Sequence, residues 1–469
     1  MVKKYSYRLP GCDADVEGLA DSSLADSSLT DGLADSKRTN DEAHQALNAC
    51  KDEITRHCVP LRQWDDMKRM SNEYELVYTA PPPGAQQQHQ GIASVQPVSR
   101  SFFKLWELLN DFSETLSASC LSASGPVTAA FLAEGPGGFV ESFATFRGRR
   151  GVRCVDALHC ITLRSSSRAV PTWKLQAIRR AAPAASLNVH HGADGTGDLY
   201  RVANIDHLVR AVCGPTEDPG VCELVTADGG FDYSGDFNAQ ERASARLLLC
   251  EAYAALRLQR VGGAFVLKMF DIASDDTMSL LHALRLCYAD VHLYKPLSSR
   301  PANSEKYAVC TGFLGAPPSL LAILRAAVRT ARTDALPAAP SPLVRSIVHY
   351  NVCFVARQIA HIVGTIALIG APAEARAKRL RAQMGKSIRW CHKYGIPISF
   401  RALTRYRSSI LGLGLGQSLN PGFGLGLGNS IDSSSSCSSS DLCTSNAVLR
   451  HVLQNACGSG LNMQYERRS

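Results

Sequence analysis

Val127-Thr-Ala-Ala-Phe-Leu-Ala133-Glu134-Gly135-Pro136-Gly137-Gly138-Phe139 reads as a buried strand, a glycine-rich turn and the start of a helix. The run Val127 to Ala133 is short and almost wholly apolar, the pattern of a strand covered on both faces. The turn lacks bulky side chains, so a ligand can approach its backbone closely, and the carboxyl edge of a parallel sheet is where ligands bind in such folds. On its own the turn would equally suit tight packing. Outward from it, Gly151 to Leu163 holds a second strand, and Leu187–His191, Val221–Ala227, Ala264–Phe270, Val291–Tyr294 and Lys306–Phe313 supply five more. Helical patterns lie between them at Ala239–Arg260 and Thr277–Tyr288, and before them at Phe102–Leu116, with apolar residues at 102, 105, 109, 112 and 116. Strands alternating with helices predict an α/β fold: a seven-stranded, mostly parallel sheet with helices on both faces.

The flanks differ in composition. Residues 1–43 carry nine acids against five bases, repeat Gly-Leu-Ala-Asp-Ser-type units over 11–43 and are expected to be disordered. A helix at Asp41–Met70, a short strand at Glu73–Tyr78 and a linker beginning at Pro81 fill the segment 44–98. The alternating domain spans 99–315 and a basic helical extension 316–407. The Gly/Ser-rich tail, 408–469, is low in complexity and expected to be disordered. Residues 316–410 hold fifteen lysines and arginines against two acids, which accounts for more than the whole net charge of +8 and suits a polyanionic partner. Sixteen scattered cysteines with no CxxC pair read as reduced thiols. The start, Met1-Val-Lys-Lys, lacks the apolar core of a signal peptide, and the longest apolar stretch, Ile359–Pro372, is too short to span a bilayer. An intracellular protein without a membrane partner is therefore expected, with nucleus preferred over cytoplasm.

Four ionisable residues stand out because each closes or follows an apolar run. They are Lys104 in Ser99-Arg-Ser-Phe-Phe-Lys104, Asp228 before Gly229-Gly230, Lys268 in Gly263-Ala-Phe-Val-Leu-Lys268, and Glu305 in Ser299-Arg-Pro-Ala-Asn-Ser-Glu305-Lys-Tyr. Asp228 and Lys268 fall at carboxyl ends of parallel strands, and Glu305 reaches the same edge if the last strand runs antiparallel. With the Gly-Pro-Gly-Gly turn, these segments resemble the FtsJ-type ribose 2′-O-methyltransferases, closest to the branch acting on the first transcribed nucleotides of capped messenger RNA. The resemblance covers roughly residues 60–315.

The resemblance implies a Rossmann-like methyltransferase fold, S-adenosyl-L-methionine as cofactor, and Lys104, Asp228, Lys268 and Glu305 as catalytic residues. A ribose hydroxyl is a poor nucleophile, so such an enzyme needs alignment and the removal of one proton. A lysine is the natural base, although an ordinary one titrates near 10.4 and is well under ~0.1% neutral at pH 7. Cofactor contacts are implied at Glu134, Gly135, Pro136, Gly137, Gly138, Phe139, Asp194 and Asp228. The ribose-binding acid usual after the second strand is absent, since Cys160-Ile-Thr-Leu163 stands there, and Asp156 is a doubtful substitute. RNA contacts are expected from Arg100, Arg300, Asn303 and Lys306 and from the basic extension. Trp390 and Tyr394 read as core rather than as base-stacking residues. No metal site is supported. Capped RNA and other capping or transcription factors are the expected partners. Modification of ribosomal or transfer RNA, or an inactive RNA-binding subunit, are the competing readings.

Overall fold

A computed structural model describes residues 6–10, 27–57, 62–79, 91–119 and 125–412, except 152–153, 168–169, 182, 184, 216–219 and 232–235. The chain begins with strand β1 (Ser6–Arg8) and helices α1 (Ser27–His57) and α2 (Arg62–Ser71), then a 3₁₀ turn at Glu75–Val77 and helices α3 (Ser101–Asp111) and α4 (Ser113–Ser119). The alternating core runs β2 (Thr128–Leu132), α5 (Gly138–Arg149), β3 (Ala157–Ile161), α6 (Leu175–Ala181), β4 (Ser186–His190), α7 (Val202–Cys213) and β5 (Cys222–Ala227). It continues through α8 (Gln240–Leu258), β6 (Gln259–Met269), α9 (Asp275–Cys287), β7 (Tyr288–Tyr294) and β8 (Lys306–Phe313). Helices α10 (Pro318–Thr330), α11 (Ser341–Ile366), α12 (Ala373–Lys393) and α13 (Phe400–Gly412) complete the described chain.

All strands among the described residues join one sheet in the order β1-β7-β8-β6-β5-β2-β3-β4. Neighbours from β4 to β6 are parallel, while β8 inserts antiparallel between β6 and β7. The carboxyl ends of β2 to β7 and the start of β8 therefore share one edge. Order reverses between β2 and β5, the switch point at which a crevice opens in such sheets.

Side chains alternate across each strand. Ala130, Leu132, Val225, Ala227, Phe265, Leu267 and Ala308 pack under α1 and α7–α11. Ala129, Phe131, Leu224, Val266 and Tyr307 pack under α3, α5, α6, α12 and α13. By parity Lys268 and Glu305 belong to the second face, that of α3. Lys306 belongs to the first. Both layers are built from fully buried aliphatic and aromatic side chains, so the edge residues sit on a rigid support.

Several expectations change. The sheet has eight strands rather than seven, because Ser6–Arg8 pairs antiparallel with β7; three residues are too few to show a period. The N-terminal stretch 1–43, expected to be disordered, holds β1 and the first half of α1. That helix packs along α11 and buries Ala43, Leu47 and Ile54 at helical spacing. Tertiary packing outweighs its polar composition there. Residues 1–5 and 11–26 lie outside the described residues, as do the linker from Pro81 and the tail from residue 413. The strand expected at Glu73–Tyr78 is the 3₁₀ turn, whose Glu75 is buried. The helix expected over Phe102–Leu116 divides at Phe112 into α3 and α4. Among the described residues no helix is long and apolar enough to cross a membrane, and the ten described cysteines are free thiols.

Candidate active site

Register brings the four residues together. Leu267 pairs with Ala227 across β6 and β5, and Lys268 pairs with Tyr307 across β6 and β8. Asp228 therefore follows its strand directly beside Lys268, and Glu305 stands just before β8. The Lys268 Nζ lies 3.5 Å from Asp228 Oδ1 and 3.5 Å from its backbone carbonyl. Tyr307, fully buried, donates its hydroxyl to the same Asp228 Oδ1 at 2.8 Å and fixes that carboxylate. Lys104 reaches over the edge from α3 and donates to Glu305 Oε2 at 2.7 Å. Burial alone would raise the Glu305 pKa, but Lys104, Lys268 and Lys295 together hold it well below the usual carboxylate range. Two lysine–carboxylate pairs thus face one another, which alternation at the sheet edge and the reach of α3 make possible.

Two further carboxyl groups close the crevice beneath them. Glu134 is buried and accepts the Phe139 N–H at 2.8 Å, while its Oε2 has no partner. Burial and then Asp228 push its pKa well above the carboxylate range. Glu251, on α8, is buried under Gly229; burial raises its pKa against the lowering pull of Lys268. Sequence reading missed Glu251, though a lone acid inside the apolar run Leu247 to Ala255 was a signal.

The turn after β2 has the expected tight geometry. Gly135-Pro136 is a cis peptide, and Gly137, with φ +110°, precedes α5. A Cβ at Gly137 would lie 2.2 Å from Ile178 Cδ1, and one at Gly138 would lie 2.1 Å from Ser99 Oγ. Gly137→Ala is therefore expected to cost about 2 kcal/mol of stability from backbone strain alone, read from a denaturant titration. An unchanged midpoint would contradict this reading of the turn. Phe139 is core beneath the turn, packing on Tyr307, so its ring supports the turn rather than lining it.

Asp194 organises its own loop. Its carboxylate accepts from Thr196 N–H and Oγ1 and from Asn204 Nδ2 and pairs with Arg201. Those bonds, Thr196 foremost, bring its pKa to about 2. Asp156 is no substitute for the missing ribose acid. It sits at the opposite, amino edge of β3 and is held by Arg147 at 2.8 Å.

The residues expected to touch RNA are mostly engaged internally. Arg300 grips Glu75 through Nε at 3.0 Å and Nη2 at 2.7 Å, and Arg100 pairs with the same carboxylate at 2.9 Å. Asn303 accepts from Lys295 at 2.7 Å. Lys306 is corrected outright: it points to the α11 face, fully buried, where it donates to the Phe270 carbonyl and lies 4.2 Å over the Phe354 ring. Trp390 and Tyr394 are core, and the Trp390 indole donates to Glu107.

Two anchors of the Ser299–Glu305 loop escaped sequence reading. Glu107, one turn beyond Lys104 on α3, accepts the N–H groups of Leu297 and Ser298 at 2.6 Å each. Lys295 donates to the Glu305 carbonyl at 2.6 Å and to Asn303 O at 2.9 Å. Burial pulls its pKa down to about 7, with Lys306 and Lys104 adding to the shift and Glu305 opposing it. No group of three or more potential metal-ligating side chains occurs among the described residues.

Comparison with known proteins finds likenesses over part of the chain. Residues 97–313 match the family model described as FtsJ-like methyltransferase. Over these residues the chain is similar to FtsJ-like methyltransferases. Within the chain the curated relatives are similar over 121–181 residues. A zebrafish (Danio rerio) protein named cap-specific mRNA (nucleoside-2′-O-)-methyltransferase 1 is 38% identical over 181 residues, 38% of this chain and 20% of that protein. The mouse protein of that name is 46% identical over 121 residues, 26% of this chain and 14% of its own. A Caenorhabditis briggsae protein named methyltransferase 1A is 40% identical over 140 residues, 30% of this chain and 16% of its own. The chain thus matches about a fifth or less of these relatives' lengths, and the segment that matches the family model contains Lys104, Asp228, Lys268 and Glu305.

Proposed function

We propose that the FtsJ-like domain transfers a methyl group from S-adenosylmethionine to a ribose 2′-hydroxyl among the first transcribed nucleotides of capped messenger RNA. The observation that carries this reading is the facing of two lysine–carboxylate pairs, Lys104–Glu305 and Lys268–Asp228, at the switch-point edge beside a glycine-rich turn. The names of the relatives support the choice of capped RNA over ribosomal or transfer RNA.

The residues present fit the cofactor. Buried acceptors without donors are costly, and Glu134 Oε2 is one, beside a turn whose Gly135 and Pro136 are only partly buried. Glu134, the Gly135–Gly138 backbone, Asp194 and the main chain at Asp228 would hold the cofactor. Bound there, it supplies a methyl group already activated on a sulfonium.

The protein's part is alignment and proton removal. Lys268 takes the proton of the 2′-hydroxyl from its neutral amine form, and Asp228, itself fixed by Tyr307, keeps that amine directed at the oxygen. Glu305 Oε1, buried and without a hydrogen-bond partner, accepts from a ribose hydroxyl, while Oε2 stays with Lys104. The ammonium left on Lys268 after transfer is compensated by Asp228 and Glu305, so charge is neutralised without water having to reorganise. Basic side chains of α12, including exposed Lys378, Arg379, Arg381 and Arg389, give the phosphate backbone a path with salt-dependent, sequence-tolerant affinity.

The test is transfer of labelled methyl from S-adenosylmethionine to a short transcript with a methylated guanosine cap, beside its uncapped twin. Alkali-resistant label on the capped RNA alone is expected. Equal label on both would move the substrate to structured RNA, and none on either would leave an RNA-binding subunit.

A further inference from the structure

A cavity of about 310 Å³ lies next to the site, bounded by β1, residues 72–74, the loop after β7 and one side of α11. The proposed chemistry does not use it. Its wall is aromatic: Tyr350 and Phe354 are stacked with centroids 5.8 Å apart, Tyr7 leans on Tyr350 at 5.7 Å, and Tyr74 lines the other side. Polar side chains are interleaved with that wall, among them Asn72, Glu73, Gln358 and His361. The Tyr350 hydroxyl is buried and has no partner, and Arg357 stands exposed at the mouth.

Such a set recognises a nucleotide. Aromatic faces stack any base, contributing about 1–3 kcal/mol per base. The unpartnered Tyr350 hydroxyl can bond a base edge, and a guanidinium at the entrance suits a phosphate. Two observations favour a nucleotide within a strand over a free one. The rim is continuous with the basic helix α12, since Glu73 at the mouth pairs with Lys386, and His361 in the wall feels Arg379 and Lys386. The floor, meanwhile, is the catalytic loop itself: Lys295, Ser299 and Pro301 line the cavity, and the same Lys295 holds the Glu305 carbonyl.

We propose that this cavity is a subsite for one nucleotide of the RNA strand, distinct from the nucleotide being methylated, with its base against Tyr350 and Phe354 and its phosphate at Arg357. The identification of the strand as substrate rests on the methyltransferase reading; the nucleotide chemistry does not. Occupancy is sensed by Lys295 and so bears on the position of Glu305.

The experiment measures binding of a labelled short single-stranded RNA to the full chain by fluorescence anisotropy, with Arg357→Glu, Tyr350→Phe and Phe354→Ala beside wild type. Arg357 is exposed, so its variant tests the mouth without disturbing the core, and thermal midpoints identify any variant that fails to fold. A loss of RNA affinity of tenfold or more in Arg357→Glu, a smaller loss in Tyr350→Phe and no competition by millimolar 5′-mononucleotides are expected. Unchanged RNA affinity in a folded Arg357→Glu overturns the proposal. Micromolar mononucleotide binding that Arg357→Glu abolishes, with RNA binding intact, overturns the strand assignment and leaves a free-nucleotide site. Methyl transfer by wild type is measured in parallel. Its absence beside Arg357-dependent RNA binding would defeat the proposed function while leaving the subsite standing.

Discussion

Lys268→Ala is expected to lower methyl transfer about a thousand-fold while leaving S-adenosylmethionine affinity within about twofold of wild type. General-base removal typically costs 10²–10⁴-fold, and Lys268 is the strand residue whose amine lies between Asp228 and the crevice. The cofactor-holding groups, Glu134 and the turn after β2, are set by their own contacts with Phe139 and Glu134's backbone carbonyl, so they survive the change. Single-turnover transfer with calorimetry of cofactor binding separates the two quantities. Near-normal turnover would remove Lys268 from the chemistry. A parallel collapse of cofactor binding would instead make it a binding residue.

Glu75→Gln is expected to destabilise the fold by about 3–5 kcal/mol, the usual cost of leaving buried charge without its partner. Here two guanidiniums, Arg100 and Arg300, converge on one buried carboxylate, and the amide cannot neutralise either. Burial opposes ionisation of Glu75, but the two arginines and Asn72 win and bring its pKa from 4.5 to about 2. A group with a depressed folded pKa contributes stability above its unfolded pKa and loses it as pH falls toward the folded value. Glu75 alone then accounts for roughly 3 kcal/mol, lost between about pH 4.5 and 2. Asp271, brought to about 2 by Lys51, Lys306 and His44 against its burial, and Glu305 change in the same direction. Urea titrations across that pH window should show wild-type stability falling steeply with acid and a shallower slope in Glu75→Gln. Parallel slopes would mean that Glu75 is already protonated in the native state.

Much of the alternating core was legible because buried parallel strands are unbroken apolar runs. Lys268 stood out for the same reason: a lysine closing such a run has few structural uses. Glu305 was legible only through the distinctive segment Ser299 to Tyr307. What sequence reading lost was lost to three-dimensional pairing. Arg100 and Arg300 look like free cations until Glu75 arrives from a turn some 225 positions away in sequence from Arg300. Lys306 looks exposed beside Glu305, but strand parity turns it into the opposite layer. The first half of helix α1 looks disordered by composition and is ordered by α11, an element some three hundred residues downstream. Glu107 and Glu251 were readable in principle, as single acids in otherwise buried helical runs, and mark where an apolar pattern is deliberately broken for a backbone it must hold.

The adjacency of Glu305 and Lys306 makes the register of β8, rather than the length of the loop before it, the quantity that sets the charge of the crevice. A one-residue slip of β8 along β6 would exchange which of the two enters the crevice, and would turn every other side chain of β8 into the opposite layer as well. Two lysines and two carboxylates would become three lysines and a single acid. Residues added at the tip of the loop leave that register alone as long as Lys268 stays paired with Tyr307. The same packing that keeps Ala308 in one layer and Tyr307 in the other therefore guards the sign of the charge at the site.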